Sequence, residues 1–597
     1  MSQHPQRLLV LSIILLAFGL RIAFVESRNA TIDELSSLKW LAERSVFEIA
    51  TQYHTNIHLL TTILARLIDY MGGHWLTFYR LPSLVFGVLT VPLTYQLGRR
   101  MVNGWAGLLA ALLLAVAPMH VDFSIQMRGY TAATFWAAVM YLSLWRGLHG
   151  GGWRYWGVFA AAAGLAVYAH LFGALAVGAS WLVVIGALIF RQQPRQRWQF
   201  PAVSLLLTVV LLLILYGPIF TRIVDTPQVE SDWGTQVESL VVDGQLNGEA
   251  FEDYLKILRL YGPIGEPNSW FVMSFVLMAA VGLAAALTGL YPRRGPEREA
   301  GLYAAIWIMA PLAAAAFGMQ FINGVYVFWR FFLFFQPLYL LLMANGMLAC
   351  GYLAATWLKR PVVGKVATAG LLVMALGGAA WQLYHQASDD ADNQWYRVAR
   401  MIQTRGSTPF VVCEPYNQKM ESQAAHKDEC FRNLEFYFQP ALGRQVSWLA
   451  AEIDQVATIP GASNRPFLEA QPGDVWIVLW QTEWPADDLN LGQTVEFAEG
   501  TYHFIGSTLL LQSPPQSPQL LALAKSIDLL LPWPTTPQDH FSYLLAQAQM
   551  KAVVGDTAAA QTAWQAARAL SPEGVDAENQ LRAVAELIGR PDLVSEE

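Results

Sequence analysis

The 597-residue chain is 54% hydrophobic and only 14% charged, against roughly 25% charged in an ordinary soluble domain. That deficit excludes a water-soluble enzyme of this size, and a formal net charge of −7 offers no basis for nucleic-acid binding. The apolar residues fill Leu8 to Tyr384, while Gln386 to Glu597 has the composition of a soluble protein, so a membrane part over residues 1–384 is expected to precede an extramembrane part large enough for one or two small domains.

The first apolar stretch, Leu8–Val25, runs into Glu26-Ser27-Arg28 rather than a small-x-small cleavage site, and is read as an uncleaved first span. A spanning helix needs about 20 mostly apolar residues. The candidates number about eleven: Leu8–Val25, Leu81–Leu97, Trp105–Pro118, Tyr130–Leu148, Tyr155–Ala169, Leu171–Phe190, Phe200–Phe220, Trp270–Tyr291, Leu302–Met319, Phe328–Trp357 and Val362–Tyr384. One alternate set of connections carries Arg99-Arg100, Arg146 with Arg154, Arg191, Arg195 and Arg197, Arg293, Arg294 and Arg298, and Lys359, Arg360 and Lys365, with Arg7 ahead of the first span on the same side. The positive-inside rule makes these cytoplasmic. The other side then receives an exported loop over 26–80, the Met119–Arg128 turn, the Ala169–His170 turn, a second exported loop over 221–269 and the C-terminal region. The expected setting is a multi-pass protein of the inner or plasma membrane, with a cytoplasmic N-terminus.

The first exported loop holds the densest polar pattern. Thr31 can cap a helix, with Glu34 three residues on as its capping-box partner; Asp33 is an acid just beyond the membrane boundary that this capping does not use. His54, Asn56 and His58 follow, then Leu59–Tyr70, an amphipathic segment able to lie flat at the interface. After the third span, His120, Asp122 and Arg128 crowd one short turn ahead of Tyr130. Ionisable groups at a membrane boundary are costly unless solvated or paired, so this turn is either a polar collar or the rim of an active site facing the first loop. His54, His58, His120 and Asp122, or Asp33 with His120 and Asp122, are also residue types that bind a divalent metal.

The loop over 221–269 is acidic, with Asp225, Glu230, Asp232, Glu238, Asp243, Glu249, Glu252 and Asp253; it is a lid, an acceptor groove or simply a solvated loop. Beyond the last span, an amphipathic helix beginning at Asp392–Ala399 and apolar runs at Pro409–Cys413, Asp474–Trp480 and Phe504–Leu511 predict an extracytoplasmic α/β domain over 385–535. Cys413 and Cys430 fall in this exported region, where thiols can oxidise; a disulfide between them is expected, with two separate thiols as the alternative. Residues 536–597 are expected to be helical. Ala552, Gly555-Asp556, Ala559-Ala560, Trp564, Ala567 and Leu570 resemble one tetratricopeptide-type hairpin, which cannot bury a core alone.

Five features together resemble the GT-C glycosyltransferases, in the branch that contains the protein O-mannosyltransferases and the lipid A aminoarabinose transferase. Asp33-Glu34 follows the first span; Asn56-Ile57-His58-Leu59 is similar to the family's loop motif; Arg80-Leu81-Pro82-Ser83 opens the second span; Pro118-x-His120 through Arg128-Gly129-Tyr130 follows the third; Arg330-Phe331 and Pro337 lie late. No single motif is specific, and their order and spacing carry the resemblance over Leu8–Tyr384. It implies an export-side site that uses a polyprenyl-phosphate-linked monosaccharide, inverts the anomeric carbon, and passes the sugar to a lipid, glycan or protein acceptor. It also implies Asp33 as the base, with Arg128, Tyr130 and Arg330 near the donor phosphate, and Glu34, His54, Asn56, His58, His120 and Asp122 as further site candidates. No cofactor is implied firmly beyond a possible divalent metal. Many relatives carry Pro-Pro where this chain has Asn56-Ile57, which affects the loop's acceptor contacts. Two other classes fit the membrane pattern, a transporter or lipid-linked-sugar flippase and a non-catalytic scaffold. A transporter should show repeated hydropathy halves, and none is visible.

Overall fold

The structure, a computed structural model, describes residues 3–25, 28, 31, 33–34, 37–38, 41, 44–52, 57–72, 76–190, 198–225, 270–288, 297–321, 329–391, 410–415, 475–480, 494–497, 500–505, 508–513, 541, 544–545, 547–548, 551–552, 555–571 and 575–594. His54, Asn56, Cys430, most of the 221–269 loop and the Asp392–Ala399 segment lie outside the described residues, so the expectations placed on them do too. The chain divides into two compact units, Met1–Asp390 and Ala391–Glu597.

The first unit is helical. In chain order it contains α1 (Gln3–Val25), α2 (Val46–Thr51), α3 (Leu59–Tyr70), α4 (Leu76–Met101), α5 (Gly104–Val116), α6 (Pro118–Ser124), α7 (Tyr130–Leu148), α8 (Trp153–Ala169), α9 (Gly173–Phe190) and α10 (Gln199–Asp225). It continues with α11 (Trp270–Thr288), α12 (Glu297–Phe321), a 3-10 turn (Trp329–Phe335), α13 (Gln336–Trp357) and α14 (Pro361–Ala391). A helix stands at each predicted span. Among the described residues, six helices are long and apolar enough to cross a bilayer, seven if the bent pair α5–α6 counts as one span. The protein is therefore a multi-pass membrane protein. Its outer helices carry the signature of lipid contact: Leu8, Leu11 and Leu15 on α1 and Leu206, Leu213 and Ile214 on α10 are all exposed, apolar faces that suit lipid rather than water.

Inside, one apolar core runs through α1, α4, α5, α7 to α9, α11 to α13 and the 3-10 turn. Close helix approach depends on small residues. A Cβ on Gly282 would strike the Leu342 carbonyl, and one on Gly346 the Met278 carbonyl; with both absent, α11 and α13 pack backbone to backbone, and Asn345 Nδ2 donates to the Gly282 carbonyl at 2.7 Å.

Two local breaks depart from simple spans. Pro118 lacks an amide hydrogen and forces the preceding Ala117 into extended backbone (φ −61°, ψ 117°), as the residue before proline requires. α6 consequently leaves α5 at 59° and carries His120 and Asp122 sideways. The segment Phe328–Trp357, expected as one span, instead opens with the tight turn Trp329–Phe335, and α13 starts only at Gln336, where Pro337 occupies its first turn. That break presents Arg330 and Phe331 from a turn rather than from a helix flank.

In the second unit, five strands form one sheet: β1 (Phe410–Pro415), β2 (Val475–Trp480), β3 (Thr494–Phe497), β4 (Gly500–Ile505) and β5 (Thr508–Ser513), in the order β1-β2-β5-β4-β3. The β1–β2 pair is parallel, with Cys413 opposite Val478, and the other pairs are antiparallel. The Asp392–Ala399 segment, expected as a helix of an α/β domain, lies outside the described residues. Near the C-terminus, α15 (Thr557–Ala569) and α16 (Val575–Ile588) bury Trp564, Ala560, Ala567, Val584 and Ala585 together with Phe541, Leu545 and Ala548. Asp556 caps α15 by accepting from the Ala559 amide at 3.0 Å, and Trp564 Nε1 donates to the Leu581 carbonyl at 2.8 Å.

Candidate active site

The candidate residues converge at one end of the helical unit. α4 enters at that end with Arg80 and leaves with Arg99 and Arg100; α7 enters with Tyr130 and ends near Arg146; α8 begins beside Arg154 and ends at His170. α4, α7 and α8 pack against one another in that series. The polar motifs thus share one end and the helix-flanking arginines the other. Ser83 ties the corner together: its hydroxyl donates to the Arg128 carbonyl at 2.8 Å, and the Thr131 hydroxyl donates to the Ser83 carbonyl at 3.0 Å. Gly129 is required there, because a Cβ would collide with the Ala169 carbonyl and the His58 ring.

Asp33 lies between two guanidiniums. Its Oδ2 is 3.5 Å from Arg128 and 3.3 Å from Arg330. Arg128 also donates to the Asp33 carbonyl at 3.2 Å and reaches the Ser37 hydroxyl at 3.4 Å. The Asp33 and Arg330 side chains are 19% and 30% exposed, Arg128 only 3%. A carboxylate and two arginines from three distant segments therefore meet, with Asp33 and Arg330 partly exposed.

Glu34 faces the other way and is fully buried. Arg80 grips it with two bonds, Nε to Oε1 at 2.9 Å and Nη2 to Oε2 at 3.0 Å, the fork geometry that makes Arg–carboxylate pairs strong. The Met127 amide donates to Oε1 at 2.6 Å and the Thr31 amide to Oε2 at 3.0 Å, while the Glu34 amide donates back to the Thr31 hydroxyl at 3.2 Å. The capping box is real, and it is also a junction between the first loop, α4 and the Arg128 turn. Burial alone would raise the Glu34 carboxyl; the adjacent Arg80 and the amide donors outweigh it and leave the net shift downward. Arg80 does not snorkel to an interface, as span-end arginines do; it is 1% exposed and also donates to the Val25 and Arg28 carbonyls at 2.7 and 2.9 Å.

Beside the arginines stands a wall of rings. His58, Tyr130 and His170 form a triangle with centroids 4.8–5.0 Å apart, extended by Phe331 and Phe172. Arg128 lies 5.8 Å above the Tyr130 ring, within cation–π range. Burial, followed by the positive field of Arg128 and Arg330, pushes His170 down to about 3. Burial first, then Arg128, pushes His58 well below the usual imidazole range. Both imidazoles are therefore neutral. His170 Nδ1 accepts from the Phe172 amide at 3.2 Å, so its proton sits on Nε2. Two buried polar atoms of this wall, His58 Nε2 and Tyr130 Oη, have no hydrogen-bond partner among the described residues.

Several residues considered as metal ligands have other partners here, while His54 lies outside the described residues. Asp122 is an ion-pair partner of Arg28 and accepts from Gln126 at 2.9 Å. His120 is buried, its Nδ1 2.7 Å from Arg21, which also donates to the Ala17 and Ala115 carbonyls. Asp33 belongs to the arginine pair. Among the described residues, no three of His, Cys, Asp and Glu stand together as a metal site. The fold thus brings Asp33, Arg128, Arg330, Tyr130 and His58 near one another, and pairs Glu34 with Arg80, His120 with Arg21 and Asp122 with Arg28.

Sequence reading did not single out Arg21, Arg28, Ser37, His170 or Phe172. Arg21 had a visible signal, a charge inside an otherwise apolar span. His170 had one too, a polar residue in a two-residue turn between apolar runs. Ser37 and Phe172 carried none.

Comparison with known proteins adds an independent view. The family described as dolichyl-phosphate-mannose-protein mannosyltransferase matches residues 58–217, the stretch from His58 through α10. A search of curated proteins finds no match to the chain. Among solved structures, ArnT from Cupriavidus metallidurans bound to undecaprenyl phosphate is similar at 14% identity and a TM-score of 0.50, covering 86% of this chain and 98% of that one. AglB from Archaeoglobus fulgidus, in complex with an inhibitory peptide and a dolichol-phosphate, aligns at 12% identity and 0.40 over 75% of this chain and 61% of its own. The mycobacterial arabinofuranosyltransferase AftD aligns at 15% and 0.41, over 86% and 42%. The chain has the fold of the GT-C membrane glycosyltransferases.

Proposed function

We propose that this protein transfers a monosaccharide from a polyprenyl-phosphate-linked donor to a hydroxyl of a lipid, glycan or protein acceptor on the extracytoplasmic face, with inversion. The observation that carries this reading is Asp33 bridging Arg128 and Arg330 at 3.5 and 3.3 Å. The arginine-rich ends of α4, α7 and α8 lie away from it, and the positive-inside rule makes those ends cytoplasmic. The likeness to ArnT, itself solved with undecaprenyl phosphate, supports a lipid phosphate as the carrier.

Three events make up the reaction. The donor phosphodiester binds the two guanidiniums, whose planar forks suit phosphate oxygens. In doing so it competes with Asp33 for them and loosens the carboxylate. The acceptor hydroxyl then gives its proton to Asp33 while its oxygen bonds to the anomeric carbon from the face opposite the phosphate. The carbon–oxygen bond to phosphate breaks, its electron pair leaves with the polyprenyl phosphate, and Arg128 and Arg330 stabilise the charge that develops there. The test is turnover of a synthetic polyprenyl-phosphate sugar by the purified full chain. Asp33→Asn should remove transfer and keep binding of the carrier phosphate, and Arg330→Ala should weaken that binding. Turnover by Asp33→Asn at the wild-type rate would refute the assignment.

A further inference from the structure

We infer that His58 and His170 together read one hydroxyl of the donor sugar, an inference that rests on the lipid-phosphate reading above. His58 stands at the cap position of α3, yet its side chain makes no capping bond. It turns to the end of α8 and donates to the Ala169 carbonyl. Gly129 permits that approach, since a Cβ there would strike both groups. The donor is Nδ1, because Nε2 has no hydrogen-bond partner among the described residues. With its proton on Nδ1, a neutral imidazole leaves Nε2 as a bare acceptor. His170 is the opposite tautomer: Nδ1 accepts from the Phe172 amide at 3.2 Å, and Nε2 carries the proton.

Two rings 4.8 Å apart, both held neutral by burial and by the nearby arginines, thus offer one accepting and one donating nitrogen. A phosphate oxygen can only accept and an ammonium can only donate, whereas a hydroxyl does both. His58 Nε2 is also buried, and a buried polar atom left unmet is costly. The hydroxyl is assigned to the donor sugar because Tyr130 contacts both imidazoles and lies under Arg128, 5.8 Å away. The imidazoles therefore adjoin the guanidinium that the reading above gives to the phosphate, and the sugar is bonded to that phosphate. In this arrangement His58 and His170 are specificity residues. They leave the reacting atoms alone and select a sugar that keeps one free hydroxyl, as a site built to bond a hydroxyl rejects the analogue without it.

The experiment is competition with labelled bare polyprenyl phosphate for the purified full chain at neutral pH, with no acceptor present. The parent probe is the tightest binder among glucosyl, mannosyl and galactosyl polyprenyl phosphate. Each of its hydroxyls is replaced in turn by hydrogen and by fluorine, which is close in size but cannot donate. At one position both replacements should weaken binding by about tenfold or more. Two variants should each shrink that ratio to below about threefold: His58→Asn, whose amide can keep the Ala169 bond but does not reach the Nε2 position, and His170→Phe, which keeps a ring and loses the donor. His58→Leu or His170→Leu repeats the test for a variant that does not purify as a monodisperse protein. The inference is overturned if the parent binds no better than the bare carrier, or if either variant discriminates as strongly as wild type. It is overturned too if no position stands out, the result that a bound water or an acceptor contact at Nε2 would give. Failure of the bare carrier and of every donor to bind wild type would refute the lipid-phosphate reading itself, a result distinct from these.

Discussion

Asp33 and Glu34 are neighbours in sequence and opposites in the fold. Glu34 is sealed, with two bonds from Arg80 and amide donors from Met127 and Thr31. Asp33, one residue away, stays partly exposed between two arginines drawn from elsewhere in the chain. A charge satisfied by a short, closed set of donors holds structure together. A charge balanced by long side chains at a partly open surface can exchange those partners for a ligand. Acid pairs of this kind are therefore best read by which donors surround each member.

The sharpest way to break this comparison is to swap the fates of the two acids. Glu34→Gln should leave Arg80 as an uncompensated buried charge, a loss of about 3–5 kcal/mol. It should appear as a large fall in the thermal unfolding midpoint or as failure to purify a monodisperse protein. Asp33→Asn should unfold at nearly the wild-type temperature while transfer falls by about 10²–10⁴-fold, the usual reach of a general base. If the two variants behave alike in both assays, the division between brace and base is wrong.

Arginine chemistry sharpens the contrast further. Arg330→Lys keeps the charge and loses the planar fork, which should weaken carrier binding by about tenfold, consistent with roughly 1.5–3 kcal/mol for a hydrogen bond to a charged group. Arg80→Lys should instead reduce stability with little change in carrier affinity among molecules that remain folded. Binding of labelled polyprenyl phosphate, scored beside unfolding temperature, separates the two.

The smallest effect concerns pH. His170 is held at about 3 against an ordinary 6.5. Between those values the unfolded chain binds a proton that the folded chain refuses, so stability rises with pH across the window and falls on acidification. Cooling the slope of unfolding temperature against pH between 5 and 7 is expected of His170→Gln, which removes one of the two neutral imidazoles. Glu34 has the depressed shift of a paired carboxylate; its contribution is complete above the ordinary carboxylate range and is lost only in stronger acid, outside that interval. An unchanged slope in the variant would show that His170 does not sit as the geometry has it.

Much of this was legible in the residue order, and the reason is local. Apolar runs locate the helices because a bilayer accepts backbone only when its own hydrogen bonds are closed. The Thr31–Glu34 capping box is a three-residue relation, and both of its bonds are present. The Ala117-Pro118 break follows from proline geometry, although its 59° bend was not foreseeable. Residue type and crowding alone marked His120 and Asp122; their partners, Arg21 and Arg28, lie more than 90 positions earlier in the chain.

Sequence alone therefore determined the membrane class, the helix positions and the chemical types gathered at the loops, since hydropathy and capping depend on residues near one another in the chain. Only tertiary structure decided which acid binds which arginine. Asp33 and Arg330 are separated by nearly 300 positions, and charge pairs across such distances are chosen by how helices pack, through burial and direction of approach, which no short stretch of sequence encodes.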